Sequence, residues 1–281
     1  MKNTEKTPKT IIIMPAYNVG GKIASVLDGI FENKEKLLVV DDGSTDNTLE
    51  VLNEYGINYI SNQYNMGVSE AIKKGVSYAQ KIGFNAAITI DSDGQHDPRY
   101  LNDFIKQLSM NDVVWGNRFS RIEGIPSSKI ASNTFASCLI NYVSGVYIPD
   151  VACGYKGFWL KKEILDTFKS SNDYSFVYDL ILCAIKNNYK MGYIDMEALY
   201  QPSELWFTRK VEIESLLCSI SNYKKDDLLD YVIYHIQSNS NYSIQIEGID
   251  FHFYYLDKYA GYFIQASFKQ IVEYHKGRVN E

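Results

Sequence analysis

The chain has 281 residues, a formal net charge of −6 and 46% hydrophobic residues. Its length suits one large domain or one domain with an appendage, and its acidic balance argues against a nucleic-acid partner. Cys138, Cys153, Cys183 and Cys218 are too scattered for a zinc site or a disulfide framework. The first ten residues lack the apolar core of a signal peptide, and no apolar run is long enough to span a bilayer. We therefore expect a cytoplasmic protein, and peripheral contact with the inner face of the membrane stays open.

Short apolar runs alternate with segments of helical periodicity through the first 120 residues. The runs predict buried strands over 11–14, 37–40, 57–60, 86–90 and 112–115. Apolar residues at helical spacing predict helices over 23–31, 49–55, 68–79 and 101–108. This alternation, with short connections, predicts an α/β fold: a mostly parallel, Rossmann-like sheet with helices on both faces.

The pattern loosens after about residue 119 and changes again beyond about residue 202. Further helices are predicted over 127–143 and 174–187, and a strand over 191–196. Residues 154–160 are rich in glycine and aromatic residues. The last part of the chain predicts helices over 211–220 and 226–236, then strands over 242–246, 251–256 and 262–268. We therefore divide the chain into a main domain, 1–203, and an accessory C-terminal α+β module, 204–281. The module would serve self-association or acceptor docking, outside the donor site.

Polar clusters follow the first four predicted strands. They are residues 15–18, 41–46, 65–67 and 91–96. Ligands of parallel α/β sheets bind beyond the carboxyl ends of the strands, where such clusters meet. The sequence therefore predicts a binding site at this edge of the sheet.

Asp91 and Asp93 stand two residues apart where the fourth strand ends. Side chains two apart on a strand point to one side, so two carboxylates ~6–7 Å apart along the backbone can converge on one cation. Mg²⁺ or Mn²⁺ takes few protein oxygens and completes its shell with water and phosphate. The pair therefore indicates a metal that holds a diphosphate, whereas an acidic turn is the alternative for this segment taken alone.

The four clusters together resemble the family-2 inverting glycosyltransferases, which have the GT-A fold. Residues 14–18 (MPAYN) look like that family's Pro-x-Tyr-Asn segment, and residues 41–48 (DDGSTDNT) are similar to its nucleotide-binding motif. Residues 65–75 match its Asn-x-Gly motif, and residues 91–95 (DSDGQ) match its metal motif. The resemblance covers roughly residues 10 to 200.

Within that family, the chain looks most like the polyprenyl-phosphate sugar synthases of the dolichyl-phosphate mannosyltransferase type. The segments that carry this likeness are 95–98 (QHDP), 116–119 (GNRF) and 150–158 (DVACGYKGF). The chain departs from the pattern at Val19, where a Glu is usual, and at residues 200–204, which lack the usual Arg-rich segment. The membrane-associated helices that follow in that group are also absent, so the resemblance is stronger for the donor than for the acceptor.

The resemblance implies roles for particular residues. A divalent metal, Mn²⁺ or Mg²⁺, would be held by Asp91, Asp93 and Gln95. The nucleotide-sugar donor would be bound by Pro15, Tyr17, Asn18, Asp41, Asp42, Asn65, Gly67, Asp91, Ser92 and Lys129. Arg118 and Lys129 are candidates for binding either the diphosphate or an anionic acceptor. The transfer itself would depend on Asp93, Arg118, Asp150 and Lys156.

Most of these assignments have a structural alternative. Asp41 or Asp42 would serve equally as the cap of the following helix, as would Ser44 or Thr45, and Asn65 would serve as a cap of the next helix. Lys129 would also suit a solvated helix surface. Asp150 and Asp179 are either sugar-orienting or basic groups, or ion-paired and capping ones. His96 is expected to be a hydrogen-bonded structural residue.

Three functions are compatible with these motifs. The first is metal-dependent inverting transfer of a hexose from a nucleotide-diphosphate sugar to a polyprenyl phosphate, which is already anionic and needs no general base. The second keeps the donor and glycosylates a hydroxyl of a glycan or cell-surface precursor, which requires a positioned carboxylate. The third is a non-catalytic nucleotide-sugar-binding scaffold, assembled as a homo-oligomer through the C-terminal module.

Overall fold

A seven-stranded sheet forms the centre of the N-terminal part of the chain, in a computed structural model that describes residues 8–200 and 208–278. Its strands are β1 (Thr10–Ala16), β2 (Leu37–Asp41), β3 (Tyr59–Ser61), β4 (Ala86–Thr89), β5 (Val113–Asn117), β6 (Lys156–Trp159) and β7 (Met191–Asp195). Their order across the sheet is β3-β2-β1-β4-β6-β5-β7. Each pairs in parallel with its neighbours except β6, which is antiparallel to both β4 and β5.

Helices cover both faces of this sheet because its strands are apolar on both sides. On β1, Ile11 and Ile13 face one core, and Ile12 and Met14 face the other. The helices are α1 (Ile23–Ile30), α2 (Thr48–Glu54), α3 (Val68–Lys81), α4 (Leu101–Leu108), α5 (Ser127–Ser144), α6 (Lys162–Ser170) and α7 (Phe176–Lys186). The expected mostly parallel α/β sheet is confirmed, with each predicted strand shifted by no more than three residues at either end.

The antiparallel strand β6 was not predicted, and it matters for the site. Because β6 runs against its neighbours, its first residue lies at the edge where β4 and β5 end. Residues 150–155, just before β6, are thus brought to the same edge as the segments after β4 and β5. The sequence hid this strand because it is only four residues long and begins with a charged residue, Lys156, that is fully buried.

The C-terminal part builds a second, antiparallel sheet of order β8-β11-β10-β9. Its elements are β8 (Thr208–Arg209), α8 (Lys210–Tyr223), α9 (Asp227–Gln237), β9 (Tyr242–Ile246), β10 (Ile249–Leu256), β11 (Gly261–Ala266) and α10 (Phe268–Arg278). The predicted last strand was too long: β11 ends at Ala266, and the unpredicted α10 follows. Ser267 separates them, and its Oγ accepts a hydrogen bond from the backbone N–H of Gln270 at 3.5 Å.

The two sheets share one apolar core. The ring of Phe135 on α5 makes edge contacts with Phe251 and Phe253 on β10, with centroids 5.4 and 4.9 Å apart. At the other end of the C-terminal part, Tyr274 on α10 accepts a hydrogen bond from Asn141 on α5 at 2.9 Å. The C-terminal part therefore packs directly against the main sheet's helices. The boundary predicted at residue 203 lies in 201–207, outside the described residues.

Helix length and polarity also bear on membrane contact. Within residues 8–200 and 208–278, none of the helices combines the length and the hydropathy that crossing a bilayer requires.

Candidate active site

The loops after β1 and β2 are joined by hydrogen bonds at the carboxyl edge of the sheet. Asn18 has a left-handed backbone, with φ 51°. Its N–H donates to Ser44 Oγ at 2.9 Å, and its Oδ1 accepts from the Thr45 N–H at 2.8 Å. Asp41 Oδ1 accepts from the Ser44 N–H at 3.1 Å. Hydrogen bonds therefore join the first two sequence motifs into one part of the rim.

Asp42 joins this part to the third motif. Its carboxylate accepts from Asn62 Nδ2 at 2.7 Å and from the N–H groups of Met66 and Gly67 at 3.0 and 2.8 Å. Asn65 Oδ1 also accepts from the Gly67 N–H, at 3.2 Å. Gly67 has φ 92°, a conformation that favours glycine. Asp42 is buried, and its hydrogen bonds to the backbone of Met66 and Gly67 hold this turn of the rim.

The capping alternatives for the second motif are wrong. Helix α2 begins at Thr48 and is preceded by Asn47. The Thr48 N–H donates to Asp46 Oδ1 at 3.0 Å, so the side chain at the start of this helix is that of Asp46. Asn65 is not the N-cap of α3 either, because Gly67 occupies the N-cap position of that helix. Tyr17 is 44% exposed beside this rim, and Pro15 is buried on β1.

The segment after β4 is held at the centre of the edge. Ser92 Oγ donates to the carbonyl of Pro15 at 2.7 Å. Asp93 Oδ1 accepts from the Gln95 N–H at 3.0 Å, and its Oδ2 accepts from Gln95 Nε2 at 2.8 Å. The Asp91 N–H donates to His96 Nδ1 at 3.2 Å. This contact confirms the hydrogen bonding expected for His96, and burial lowers its pKa to about 4, so its ring is neutral at pH 7.

The pKa values of Asp91 and Asp93 are both raised above the ordinary value of an aspartic acid. Burial raises the pKa of Asp91 to about 6, against the opposing charges of Arg118 and Lys156. The pKa of Asp93 is raised by burial and by the negative charge of Asp91. Burial of the two carboxylates, and the negative charge that Asp91 adds at Asp93, would both be relieved by a bound cation.

The donor set at this site fits Mg²⁺ or Mn²⁺. It consists of two carboxylates and the side-chain amide of Gln95, all hard ligands. A Cβ on Gly154 would come within 2.8 Å of Asp91 Oδ2, so the glycine leaves the carboxylate room beside the backbone. The described residues contain no group of three or more His, Cys, Asp or Glu side chains arranged as a complete metal cage. Two protein carboxylates suit an ion whose remaining ligands come from water and phosphate.

Arg118 follows β5 and is bound by Asp150. Arg118 Nε and Nη2 donate to the two Asp150 oxygens at 2.7 and 2.9 Å, and Nη1 donates to the Tyr200 hydroxyl at 3.2 Å. Burial would raise the pKa of Asp150, but the guanidinium holds it below its usual range. Asp150 is completely buried and its oxygens face Arg118. Of the roles considered for Asp150, the structure therefore has the ion-paired one. Asp179 likewise accepts from Ser175 Oγ, at 2.6 Å.

Lys129 and Lys156 occupy different environments. Lys129 lies in the first turn of α5, partly buried, and burial lowers its pKa. Lys156 is fully buried, where its Nζ donates to the Val151 carbonyl at 3.1 Å, and burial lowers its pKa to about 8. Of the two, only Lys129 lines the cavity described next.

A cavity of about 310 Å³ extends from the metal motif to the C-terminal part. Its charged and amide side chains include Asp91, Gln95, Arg118, Lys129 and Glu212. Its apolar wall combines Val68 and Ile72 from α3, Phe135 from α5, Ile213 and Leu216 from α8, and Ile264 from β11. The cavity therefore adjoins the Asp91 carboxylate, contains basic groups and has an apolar wall.

One loop connects the two halves of the cavity wall. The Ser69 N–H on α3 donates to the carbonyl of Asp173 at 3.2 Å, and the Tyr174 N–H donates to Ser215 Oγ on α8 at 3.4 Å. Tyr174 also lines the cavity, together with Tyr178 and Tyr200. Sequence motifs gave no role to these tyrosines or to Glu212. The one signal in the sequence was at residues 200–204, which depart from the family's Arg-rich segment and include Tyr200 of the cavity wall.

Comparisons with known proteins identify the family of the chain. A family model described as glycosyl transferase family 2 matches residues 11–168. The chain belongs to this family. The family, the glycosyltransferase activity and the GT-A fold expected from the sequence are thereby confirmed.

Two relatives indicate the branch of the family. The chain is 25% identical over 213 residues to the UDP-N-acetylglucosamine–dolichyl-phosphate N-acetylglucosaminyltransferase of Methanococcus voltae, across 67% of this chain and 85% of that protein. It is 23% identical over 201 residues to the polyprenol monophosphomannose synthase of Mycolicibacterium smegmatis, across 66% of this chain and 75% of that protein. These matches support the expected likeness to polyprenyl-phosphate sugar synthases.

A solved structure has the same fold. The glucosyl-3-phosphoglycerate synthase of Mycobacterium tuberculosis, crystallised with Mn²⁺, uridine diphosphate and phosphoglyceric acid, superposes with a TM-score of 0.59. The identity is 16%, and the match covers 75% of this chain and 78% of that chain. At this identity the likeness bears on the fold.

Proposed function

We propose that the chain is a metal-dependent inverting glycosyltransferase that moves a hexose from a nucleotide-diphosphate sugar to a polyprenyl phosphate. The cavity carries this proposal. It joins the Asp91 carboxylate to the cationic side chains of Arg118 and Lys129 and to an apolar wall. A lipid phosphate combines an anion with an apolar chain, which are the two properties that this lining complements.

Asp91, Asp93 and the side-chain oxygen of Gln95 would hold Mg²⁺ or Mn²⁺. The metal, when bound, supplies charge neutralisation for the diphosphate that leaves. Ser92 keeps this segment against β1 through its bond to Pro15. His96, neutral and bonded to the Asp91 N–H, orients the backbone from which the carboxylates project.

The rim above β1 and β2 would bind the nucleotide. The exposed ring of Tyr17 would offer a surface for the base, and Asn18, Asp41 and Asn65 would shape the rim through their hydrogen bonds to the backbone. Asp42 would act by position, since its bonds to Met66 and Gly67 shape the turn that meets the donor. Gly67 lets the backbone approach the ligand closely.

The acceptor phosphate would bind Arg118 and Lys129. Charge-assisted hydrogen bonds from Arg suit phosphate oxygens, and Asp150 fixes the guanidinium in place. A phosphate acceptor is already a nucleophile, so attack on the anomeric carbon from the side opposite the diphosphate needs no base and inverts that carbon. Lys156 would act by charge from beneath the cavity lining, without touching substrate.

The names of the relatives support this acceptor, because those in Methanococcus voltae and Mycolicibacterium smegmatis refer to dolichyl phosphate and polyprenol. A polyprenyl phosphate resides in a membrane, so the protein would work in peripheral contact with it, at the cytoplasmic face where nucleotide sugars are made.

The test is a donor screen on the full chain that measures released nucleoside diphosphate and glycosylated lipid. Reactions are run with and without Mn²⁺ and with and without undecaprenyl phosphate, with Asp93→Asn as the inactive control. We expect lipid-dependent and metal-dependent release. Transfer to a glycan hydroxyl but not to the lipid phosphate would favour the second function, and nucleotide-sugar binding without turnover would favour the scaffold.

A further inference from the structure

The C-terminal part supplies a charged residue to the proposed acceptor cavity. Glu212 lies in the first turn of α8 and lines the cavity that also contains Lys129 and Arg118. It stands well beyond residue 168, where the family match ends. No motif in the sequence marks this residue, so its place in the cavity comes only from the packing of α8.

Glu212 is part of an ordered charged cluster. Its Oε1 accepts from Arg209 Nε at 2.9 Å. The Arg209 guanidinium lies over the ring of Tyr174, 4.6 Å from its centroid, and also donates to the Tyr174 hydroxyl. Tyr174 itself lines the cavity. The carboxylate is therefore fixed on one side by Arg209, and only 22% of the Glu212 side chain is exposed.

Lys129 is the second cation near this carboxylate. Burial lowers the pKa of Lys129, and the positive charges of Arg118 and Arg209 lower it further. Among nearby charges, the Glu212 carboxylate opposes this lowering most strongly. A buried ammonium loses hydration, which a nearby carboxylate offsets. Glu212 thus favours a charged Lys129 at a place where the surrounding arginines disfavour it.

We propose that Glu212 is a positioning residue for an anionic lipid acceptor: it fixes Arg209 against Tyr174 at the cavity wall and places a negative charge near Lys129, which lines the same cavity and would bind the acceptor phosphate. The inference rests on the proposed function and deepens it by assigning a C-terminal residue to acceptor selection. The carboxylate also repels a phosphate. However, Glu212 is already paired with Arg209, so its carboxylate is not an uncompensated negative charge. The favourable effect on Lys129 is therefore expected to exceed the repulsion.

Binding of a soluble lipid phosphate by the full chain tests this role. Isothermal titration with farnesyl phosphate is compared for the wild type, Glu212→Gln and Glu212→Asp. Glu214→Gln is the matched control, because Glu214 lies on the same helix but does not line this cavity. Titration with uridine diphosphate and Mn²⁺ in each variant checks that the donor side is intact.

We expect Glu212→Gln to weaken farnesyl phosphate binding about tenfold, a difference of ~1.4 kcal/mol. Nucleotide binding should stay within about twofold, Glu212→Asp should recover part of the loss, and Glu214→Gln should behave as the wild type. In a Lys129→Met background, Glu212→Gln should have a smaller effect, because the two residues act on one ligand group.

The possible outcomes distinguish failure of the Glu212 role from failure of the proposed function. If the wild type binds farnesyl phosphate and Glu212→Gln binds it equally well or more tightly, the positioning role is wrong and the proposed function stands. If nucleotide binding weakens as much as lipid-phosphate binding, Glu212 has a general structural role and the inference is again wrong. If the wild type binds nucleotide but no farnesyl phosphate, the lipid-phosphate acceptor fails, and this inference fails with it.

Discussion

Arg118 and Asp150 form a two-point ion pair inside the protein, with Nε–Oδ2 and Nη2–Oδ1 distances of 2.7 and 2.9 Å. Both side chains are buried, and the Arg118 N–H adds a third hydrogen bond to the same carboxylate at 3.1 Å. From the sequence, Asp150 was a candidate for orienting the sugar or acting as a base, but in the structure both of its carboxylate oxygens are bound by Arg118. The pair links the segment after β5 to the segment before β6, at the edge where the proposed acceptor site lies.

Asp150→Asn should destabilise the protein strongly. It leaves a buried guanidinium without its counter-charge, and breaking a buried pair in this way typically costs ~3–5 kcal/mol. Urea unfolding at pH 7 measures the change. Glu197→Gln is the control, because Glu197 pairs with Arg99 at the surface and should matter little. Equal stabilities for Asp150→Asn and the wild type would show that the pair is not structural.

Asp93→Asn should abolish transfer while the fold remains. The substitution removes a metal ligand, so we expect kcat to fall at least a hundredfold and Mn²⁺-dependent nucleotide binding to disappear. It also removes the repulsion between Asp93 and Asp91, so the melting temperature of the metal-free protein should stay constant or rise. Asp103→Asn, an exposed change on α4, is the control. Wild-type turnover by Asp93→Asn at limiting Mn²⁺ would refute the metal assignment.

His275 on α10 should make stability depend on pH. Burial lowers its pKa to about 4, and the negative charge of Asp150 opposes this to a lesser extent. The unfolded chain, with a His pKa near 6.5, binds a proton that the folded chain does not bind between pH 6.5 and about 4. Stability from this group is therefore present above pH 6.5 and is lost as the pH falls, by up to ~3 kcal/mol.

The measurement is urea unfolding of the wild type and His275→Gln from pH 7.5 to pH 4.5. The variant loses the ring stack on Phe119 and the contact with Tyr147, so it should be less stable at pH 7.5. The difference between the two proteins should then shrink towards acidic pH, because other titrating groups are common to both. A difference that stays constant with pH would mean that His275 titrates normally.

A chain that ends at residue 203 should fail to fold independently. Removing the C-terminal part uncovers Phe135 and other buried side chains of α5, each worth ~1.5–3 kcal/mol when fully buried. Circular dichroism and size-exclusion chromatography of the shortened chain would show loss of cooperative melting or aggregation. A monomeric, cooperatively melting fragment that binds nucleotide as tightly as the full chain would instead support the independent accessory module predicted from the sequence.

Local patterns in the sequence were sufficient for the main sheet and its functional edge. Strands such as β1 are short, apolar on both faces and followed by polar residues, so their place and direction are locally encoded. The strand β6 escaped prediction because a buried charge, Lys156, opens it. Helix α10 escaped because its sequence has weak amphipathicity, and its docking depends on the distant Asn141 and Phe119.

The composition of the site was harder to predict than its location. Nothing near Asp42 in the sequence shows that its carboxylate accepts from the backbone of Met66 and Gly67, more than twenty residues away. Glu212 reaches the cavity only because α8 packs against α5 and α7. Such contacts depend on tertiary packing, for which a single sequence carries no periodic signal.

The core shared by the two sheets has a practical consequence for finding the acceptor. If the rim of β1 and β2 and the wall formed by α8 melt together, a molecule that binds either one stabilises both. Such a ligand adds RT ln(1 + [L]/Kd), about 2.7 kcal/mol at a concentration of 100 Kd. A thermal-shift screen of the intact chain would then report lipid phosphates and nucleotide sugars in the same transition, and it would find an acceptor before any turnover assay had been established.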